Sequence, residues 1–192
     1  MPGSKNMSQN PADKPLLRQS LLARRTAMPE HERRARDVAI SNRLTTWLSS
    51  QSPGVLAAYW PIRAEPDLRE CYADWVAHGW QLSLPVVIDK NAPLKFLRYA
   101  PGDVLVRDAF GVMVPDAGAP QCRPDVILLP CVGFNMARYR IGYGGGFYDR
   151  TLAAMPNAQS VGIAYACLQA AFDVQAHDRQ LDVIVTEDTL LE

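Results

Sequence analysis

The chain has 192 residues, 48% of them hydrophobic and 21% charged, and its 20 Lys and Arg balance 20 Asp and Glu to a formal net charge of zero. That is enough apolar material for one buried core. It excludes a disordered chain, which is poorer in apolar residues and carries more net charge, and a dedicated nucleic-acid binder, which carries a basic excess. No apolar run approaches the roughly 18 residues of a membrane span, and Met1 to Asp13 is polar without the apolar core of a signal peptide. A cytoplasmic protein, bound neither to membrane nor to nucleic acid, is therefore expected.

Residues 1–13 read as a flexible tail and 14–192 as one domain, since no linker or repeat divides the chain. From Lys14 to about Ala27, leucines at 17, 21 and 22 alternate with Arg18, Arg24 and Arg25, which predicts a short amphipathic helix. A second helix runs from Pro29 to about Leu48, with proline at its first turn and Val38, Ile40, Leu44, Trp47 and Leu48 at helical spacing. The period then changes. The apolar run Val55 to Trp60, closed by Pro61, reads as a buried strand, and Asp67 to His78 reads as a helix ended by Gly79.

Gln81 to Val87 is the next predicted strand. Leu94 to Tyr99 and Val104 to Val106 suit shorter, more exposed strands, Pro115 to Pro124 a surface loop, and Asp125 to Pro130 a buried strand. A helix from Phe147 to Ala154, a strand at Ser160 to Tyr165 and a final strand at Asp182 to Thr186 complete the order. Continuously apolar strands alternating with helices imply a mostly parallel sheet covered on both faces. The expected fold is α/β, a three-layer α/β/α sandwich of Rossmann-like type, the broad architecture of sugar-phosphate isomerases and CoA-transferase-like proteins.

The zero net charge is unevenly distributed. Residues 1–44 hold nine basic side chains against four acidic ones, a net of +5, and the remainder is −5. Such a stretch is either a solvated face or part of a site for a polyanion. The cysteines at 71, 122, 131 and 167 form no C-x-x-C pair, and with three histidines they make no zinc pattern, so buried thiols are the default. A reactive role for Cys131, beside the motif that follows, has only a small allowance.

The most informative stretch is Arg140-Ile-Gly-Tyr-Gly-Gly-Gly-Phe-Tyr-Asp-Arg150, which sets four glycines directly before a helix. Glycines permit positive φ and close approach, and a helix start offers free N–H groups and a partial positive charge suited to phosphate. Arg140 and Arg150 are candidates for bidentate phosphate contacts, and Asp149 for a magnesium ion that bridges the phosphates. The pattern is neither a P-loop nor a dinucleotide fingerprint. Glycines alone equally suit a ligand-free turn; their combination with Arg140, Tyr148, Asp149 and Arg150 is more specific.

From Leu129 to Arg150 the sequence resembles the signature of the 5-formyltetrahydrofolate cyclo-ligase family. The similarity begins at Lys14-Pro-Leu-Leu-Arg18 with Arg25 following, and continues through Ala58-Tyr-Trp-Pro, Glu65, Leu84-Pro85, Phe110-Gly111 and Pro115. It ends with Gly162-Ile-Ala-Tyr165, Gln169, His177-Asp178 and Asp182 to Glu187. The resemblance implies ATP-dependent conversion of 5-formyltetrahydrofolate to 5,10-methenyltetrahydrofolate with release of ADP and phosphate, by a monomer acting on small molecules with ATP and Mg2+. Formyl-oxygen attack on the γ-phosphate would precede ring closure by a neighbouring amine.

Carried over residue by residue, the resemblance puts Lys14 and Arg18 on the ATP phosphates. It wraps Arg140, Gly142, Tyr143, Gly144, Gly145, Gly146, Phe147 and Tyr148 around the nucleotide, and gives Arg140, Tyr148 and Asp149 the catalytic roles. Asp149 and Asp178 would hold magnesium. Glu65 would contact the folate ring, with Tyr148 and Tyr59 beside it, and Trp60 is a further candidate stacking surface. Taken alone, Lys14 and Arg18 equally suit exposed helix charges, Asp149 a favourable first-turn acid, and Tyr59 and Trp60 core packing. His177 is read as an orienting or surface residue.

Three positions depart from the family pattern: Asn135 for Asp, Arg138 for Gly, and Val114 for Glu. Arg138 in a turn that needs positive φ implies altered hairpin geometry. A non-catalytic folate or nucleotide binder of the same fold is the alternative function. Another enzyme of the same architecture is a weaker one, because fold alone does not decide function.

Overall fold

The protein is described by a computed structural model covering residues 14–192, so the tail expected at residues 1–13 lies outside the described residues. Two helices open the fold, α1 at Lys14–Thr26 and α2 at Glu30–Ser49. Strand β1 (Val55–Ala57) follows, then a single 3-10 turn at Arg69–Cys71 leading into α3 (Tyr72–Ala77). Next come β2 (Gln81–Val86), β3 (Lys95–Arg98), β4 (Leu105–Arg107), β5 (Met113–Pro115), β6 (Gln121–Cys122) and β7 (Val126–Pro130). The chain closes with β8 (Gly133–Phe134), β9 (Arg140–Ile141), α4 (Phe147–Ala154), β10 (Gln159–Ile163), β11 (Val183–Val185) and β12 (Leu190–Leu191).

The main sheet has eight strands in the order β12-β11-β10-β7-β1-β2-β3-β6. Its five central strands are parallel, and β12, β3 and β6 add antiparallel edges. Period-two alternation divides the strand residues between two apolar layers. Leu56, Leu82, Leu128, Val161 and Val183 join the cluster that buries Ile40, Leu44 and Trp47 of α2 and Tyr72 and Trp75 of α3. Ala57, Ile127, Leu129 and Ile184 join the cluster containing Leu152 of α4. The three-layer sandwich expected from the sequence is therefore present, with α1 to α3 on one face and α4 on the other.

The winding reverses between β1 and β7. From β1 the chain steps to β2 through α3 on one face, and from β7 it steps the opposite way to β10 through α4 on the other face. Such a switch point opens a crevice at the carboxyl ends of the two strands, because their connections leave in opposite directions.

Local departures from the sequence expectation lie at edges and short pairings. Pro115 to Pro124 is not wholly a loop, since Gln121 and Cys122 pair with Leu97 and Phe96 as β6. The strand at Asp182 to Thr186 is not the last, because Leu190–Leu191 folds back antiparallel on β11. The helix expected from Asp67 begins only at Arg69, as the 3-10 turn. The exposure expected of the two shorter strands holds near Val104, which is 83% exposed, but not at Leu94 to Tyr99, where Leu94, Phe96, Leu97 and Tyr99 are buried because β3 lies inside the main sheet. Strand β4 pairs with β5 in a separate two-stranded sheet.

One polar contact joins α2 to the end of β10. The Tyr165 hydroxyl donates to Asp37 Oδ1 at 2.6 Å, and burial pushes the Asp37 carboxyl up to about 6 despite that hydrogen bond. The folded chain thus holds this proton more tightly than the unfolded chain. Its contribution to stability is greatest while the proton is bound and declines as pH rises from about 4 through about 6. Asp37→Asn keeps an acceptor for Tyr165 and should remove that decline. In paired denaturation series from pH 4 to 7, the variant is expected to gain on the order of 2 kcal/mol relative to wild type; parallel curves would contradict the assignment.

Candidate active site

The residues that follow β1 and β7 meet across the crevice. After β1, Tyr59 and Trp60 lead into a turn at Ile62 to Glu65, closed by the Glu65 amide donating to the Ile62 carbonyl at 2.9 Å. Its central residues, Arg63 and Ala64, both take left-handed backbone conformations, with φ of 47° and 58°. Neither is glycine or asparagine, so the turn is strained and must be held by its surroundings. Arg25 of α1 holds it, donating through Nε to the Arg63 carbonyl at 3.0 Å.

After β7, the chain forms the β8–β9 hairpin, and Arg138 occupies its turn at φ 61°. The sequence expectation of positive φ at this position is met, and the hairpin closes without glycine. Asn135 accepts the Tyr139 amide at 3.0 Å, and the Arg138 guanidinium anchors to the Leu181 carbonyl at 3.0 Å. Val114, the third departure, is buried in β5.

The glycine loop from Gly142 to Gly146 then delivers the chain to α4. Gly144 (φ 91°) and Gly146 (φ 65°) are left-handed, and Gly146 caps the helix. A Cβ on Gly144 would lie 3.3 Å from the Arg18 guanidinium carbon, so the loop needs glycine to pass under that side chain. Arg18 Nε donates to the Gly142 carbonyl at 2.7 Å.

Every residue assigned to the site from the sequence lines one cavity of about 1120 Å³ at this crevice: Lys14, Arg18, Tyr59, Glu65, Arg140, Gly142 to Asp149, and Asp178. The volume slightly exceeds the usual range for one small ligand. The cavity also recruits Pro85, Val87, Phe110 and Met113, which were not assigned to the site from the sequence. Phe110 lies 6.3 Å from Phe147 in edge-to-face contact, so the β4–β5 hairpin supplies an apolar wall. A smaller cavity of about 320 Å³ adjoins the Ile62 to Glu65 turn but lacks the glycine loop; two of its arginines, Arg34 and Arg69, are paired with Glu30 and Asp67.

Glu65 is 3% exposed. Burial raises its carboxyl above the usual range, against the Tyr143 hydroxyl at 2.6 Å on Oε1 and the Ile62 amide at 2.9 Å on Oε2. Arg25, with no exposed surface, also donates to the Tyr143 hydroxyl oxygen and to the Cys131 carbonyl. A hydrogen-bonded chain thus runs from α1 through the glycine loop to Glu65. Arg25 belongs to the motif seen in the sequence but received no role there, because on a basic helix it looked like one more solvated charge.

The charged candidates are paired with one another. Arg140, whose side chain is 5% exposed, meets Asp149 Oδ1 at 3.0 Å, and Lys14 meets Asp178 Oδ2 at 2.7 Å. Burial opposes ionisation of Asp178, but the Gln175 amide and Lys14 hold its carboxyl below the usual range. Arg150, considered for a phosphate role, lines the same cavity while its guanidinium braces the carbonyls of Lys90, Ala92 and Gly145. Tyr59 is 2% exposed and its hydroxyl is bound by the Pro66 carbonyl, so packing dominates its role.

His177 is exposed, 3.8 Å from Asp178, in keeping with the surface reading. Cys131 is fully buried and burial pushes its thiol up to about 12, which removes it as a nucleophile.

Among the described residues of the basic N-terminal stretch, only Lys14 and Arg18 reach this cavity. Arg36 pairs with Glu187 and Glu32, and Arg43 binds the carbonyls of Thr186 and Glu187. Most of that charge joins helices to the body of the protein.

Comparison with known proteins agrees over nearly the full chain. The model of the 5-formyltetrahydrofolate cyclo-ligase family matches residues 10–187. The chain is 27% identical over 180 residues to the 5-formyltetrahydrofolate cyclo-ligase of Mycoplasma pneumoniae, covering 92% of this chain and 99% of that protein. It is 30% identical over 177 residues to that of Escherichia coli K12, covering 88% and 97%. Among solved structures, the 5,10-methenyltetrahydrofolate synthetase of Aquifex aeolicus superposes with a TM-score of 0.81 at 31% identity, covering 94% of this chain and 92% of that one. The Mycoplasma pneumoniae synthetase gives 0.77 at 26% identity, covering 91% and 99%.

Two glycine substitutions separate backbone need from space. Gly146→Ala puts a side chain at φ 65°, with its Cβ 2.8 Å from the Arg150 guanidinium, and should cost about 1–2 kcal/mol in denaturant unfolding. Gly142→Ala, with nothing within 4 Å of its Cβ and no positive φ, should leave stability unchanged. Equal effects would show that the loop is not shaped by its left-handed residues.

Proposed function

The chain belongs to the 5-formyltetrahydrofolate cyclo-ligase family, and we propose that its crevice binds 5-formyltetrahydrofolate and ATP together and closes the folate ring to 5,10-methenyltetrahydrofolate, with release of ADP and phosphate. The observation that carries this reading is the single cavity shared by Glu65 on one strand end and the glycine loop on the other.

In the reaction, the formyl oxygen attacks the γ-phosphorus as the bond to the bridging oxygen breaks and ADP leaves, and the phosphorylated oxygen becomes a good leaving group. The neighbouring amine then forms the new C–N bond as phosphate departs with the former formyl oxygen. This chemistry asks for positioning and charge neutralisation more than for a strong acid or base. Glycine-loop amides at the start of α4 receive phosphate oxygens, and Lys14 and Arg18 supply positive charge beside them. Arg140 faces the transferring phosphoryl group, and its ion pair with Asp149 fixes its orientation. Tyr148, whose ring lies 6.0 Å from the Arg140 guanidinium, flanks both ligands. Glu65 orients the pterin by accepting its N–H groups, with Trp60 and Phe110 as apolar walls.

Among the described residues no group of three or more His, Cys, Asp or Glu could cage a metal ion. Magnesium held by one or two carboxylates and the substrate phosphates needs no cage. Asp149 and Asp178 suit that arrangement, since each has one carboxylate oxygen without a hydrogen bond among the described residues. When bound there, magnesium would neutralise phosphate charge.

The assay is the absorbance of methenyltetrahydrofolate formed from 5-formyltetrahydrofolate and Mg-ATP. Product should form with wild type, and tight folate binding without product would favour a passive binder. Glu65→Gln should raise KM for the folate about tenfold or more, Arg140→Ala should raise KM for ATP, and Asp149→Asn should depress metal-dependent kcat. Wild-type kinetics in all three would show the site to be misplaced.

A further inference from the structure

In the structure, the loop proposed to receive phosphate is hydrogen-bonded to groups from both proposed substrate subsites. Through Tyr143 it holds Glu65 Oε1, and through the Gly142 carbonyl it holds Arg18 Nε at 2.7 Å. Tyr143 and Gly142 are adjacent in sequence, so neither contact can be moved far without disturbing the other.

The other oxygen of Glu65 serves its own turn, accepting the Ile62 amide. A pterin edge presents a ring N–H and an amino group side by side, which is a bidentate match for a carboxylate. To engage both oxygens it competes with the Tyr143 hydroxyl on Oε1 and with the Ile62 amide on Oε2, and of these two only Tyr143 belongs to the glycine loop. Tyr143 is 37% exposed, which leaves it room to swing once its hydroxyl is released by Glu65 and by the Arg25 guanidinium that donates to it; Arg25 and Arg63 also lie 5.7 and 5.4 Å from the ring centre. A triphosphate that takes the Arg18 guanidinium must in turn detach it from the Gly142 carbonyl.

We propose that Tyr143 is a positioning residue that couples the two subsites, so that displacement of the glycine loop by either substrate prepares the site for the other. The inference rests on the assignment of folate to Glu65 and of triphosphate to the glycine loop. Both ligands work against the same loop conformation, so the second to bind meets a loop already released. Linkage then requires equal factors in both directions.

The test is calorimetric titration of 5-formyltetrahydrofolate with and without a non-hydrolysable ATP analogue and magnesium, and the reverse titration, on wild type and Tyr143→Phe. Wild type should show mutual tightening of about fivefold or more. The variant keeps the ring but lacks the hydroxyl. It should bind folate more tightly than wild type when nucleotide is absent, and its coupling factor should fall towards one. An unchanged coupling factor in Tyr143→Phe, or none in wild type, overturns the inference alone. No folate binding by wild type overturns the proposed function with it.

Discussion

Arg25 carries a charge with no solvent exposure, and such a group persists only where its donors are matched. Its partners come from three different segments: the Arg63 carbonyl after β1, the Cys131 carbonyl after β7, and the Tyr143 hydroxyl in the glycine loop. One guanidinium on α1 therefore ties together the chain ends on both sides of the switch point. Removing it would leave the buried Cys131 carbonyl without this partner and release a turn whose backbone is strained at Arg63 and Ala64. The geometry of Glu65 depends on that turn, and the resting position of the glycine loop depends on Tyr143.

The division of labour follows from the fold. The parallel strands contribute little chemistry of their own; Ala57, Ile127 and Leu129 pack beneath the crevice, and the functional groups sit in the segments beyond them. This suits a reaction whose main demand is that two anionic ligands be held with their reacting groups together. Charge is supplied in pairs that neutralise one another before ligand arrives, Lys14 with Asp178 and Arg140 with Asp149. Under the proposed function, a phosphate or a metal ion would take a place beside each pair by offering a further match to its charges.

Much of this arrangement was legible in the sequence. The helix from Phe147 to Ala154 was read to its end residues, because a glycine cluster fixes its start and its apolar positions have helical period. The buried parallel strands were legible as unbroken apolar runs. Strands β6 and β12 were not, because two-residue pairings at a sheet edge leave no periodicity to read. The strained turn was also hidden: Arg63 and Ala64 give none of the glycine or asparagine signal that marks left-handed backbone. Arg25, which has no role assigned from the sequence, and Arg150, a phosphate candidate, both brace backbone carbonyls. Sequence cannot distinguish an arginine that reaches a ligand from one that braces carbonyls, since that depends on which chain segments the tertiary fold brings within reach.

The central claim is that one crevice brings the formyl oxygen of the folate to the γ-phosphate of ATP. The most direct measurement is a single turnover with 5-formyltetrahydrofolate carrying ¹⁸O in the formyl group, followed by mass analysis of the released phosphate. Recovery of the label in inorganic phosphate is the predicted result, because the oxygen that attacks phosphorus leaves with it. Unlabelled phosphate, with the ¹⁸O recovered in water, would contradict it.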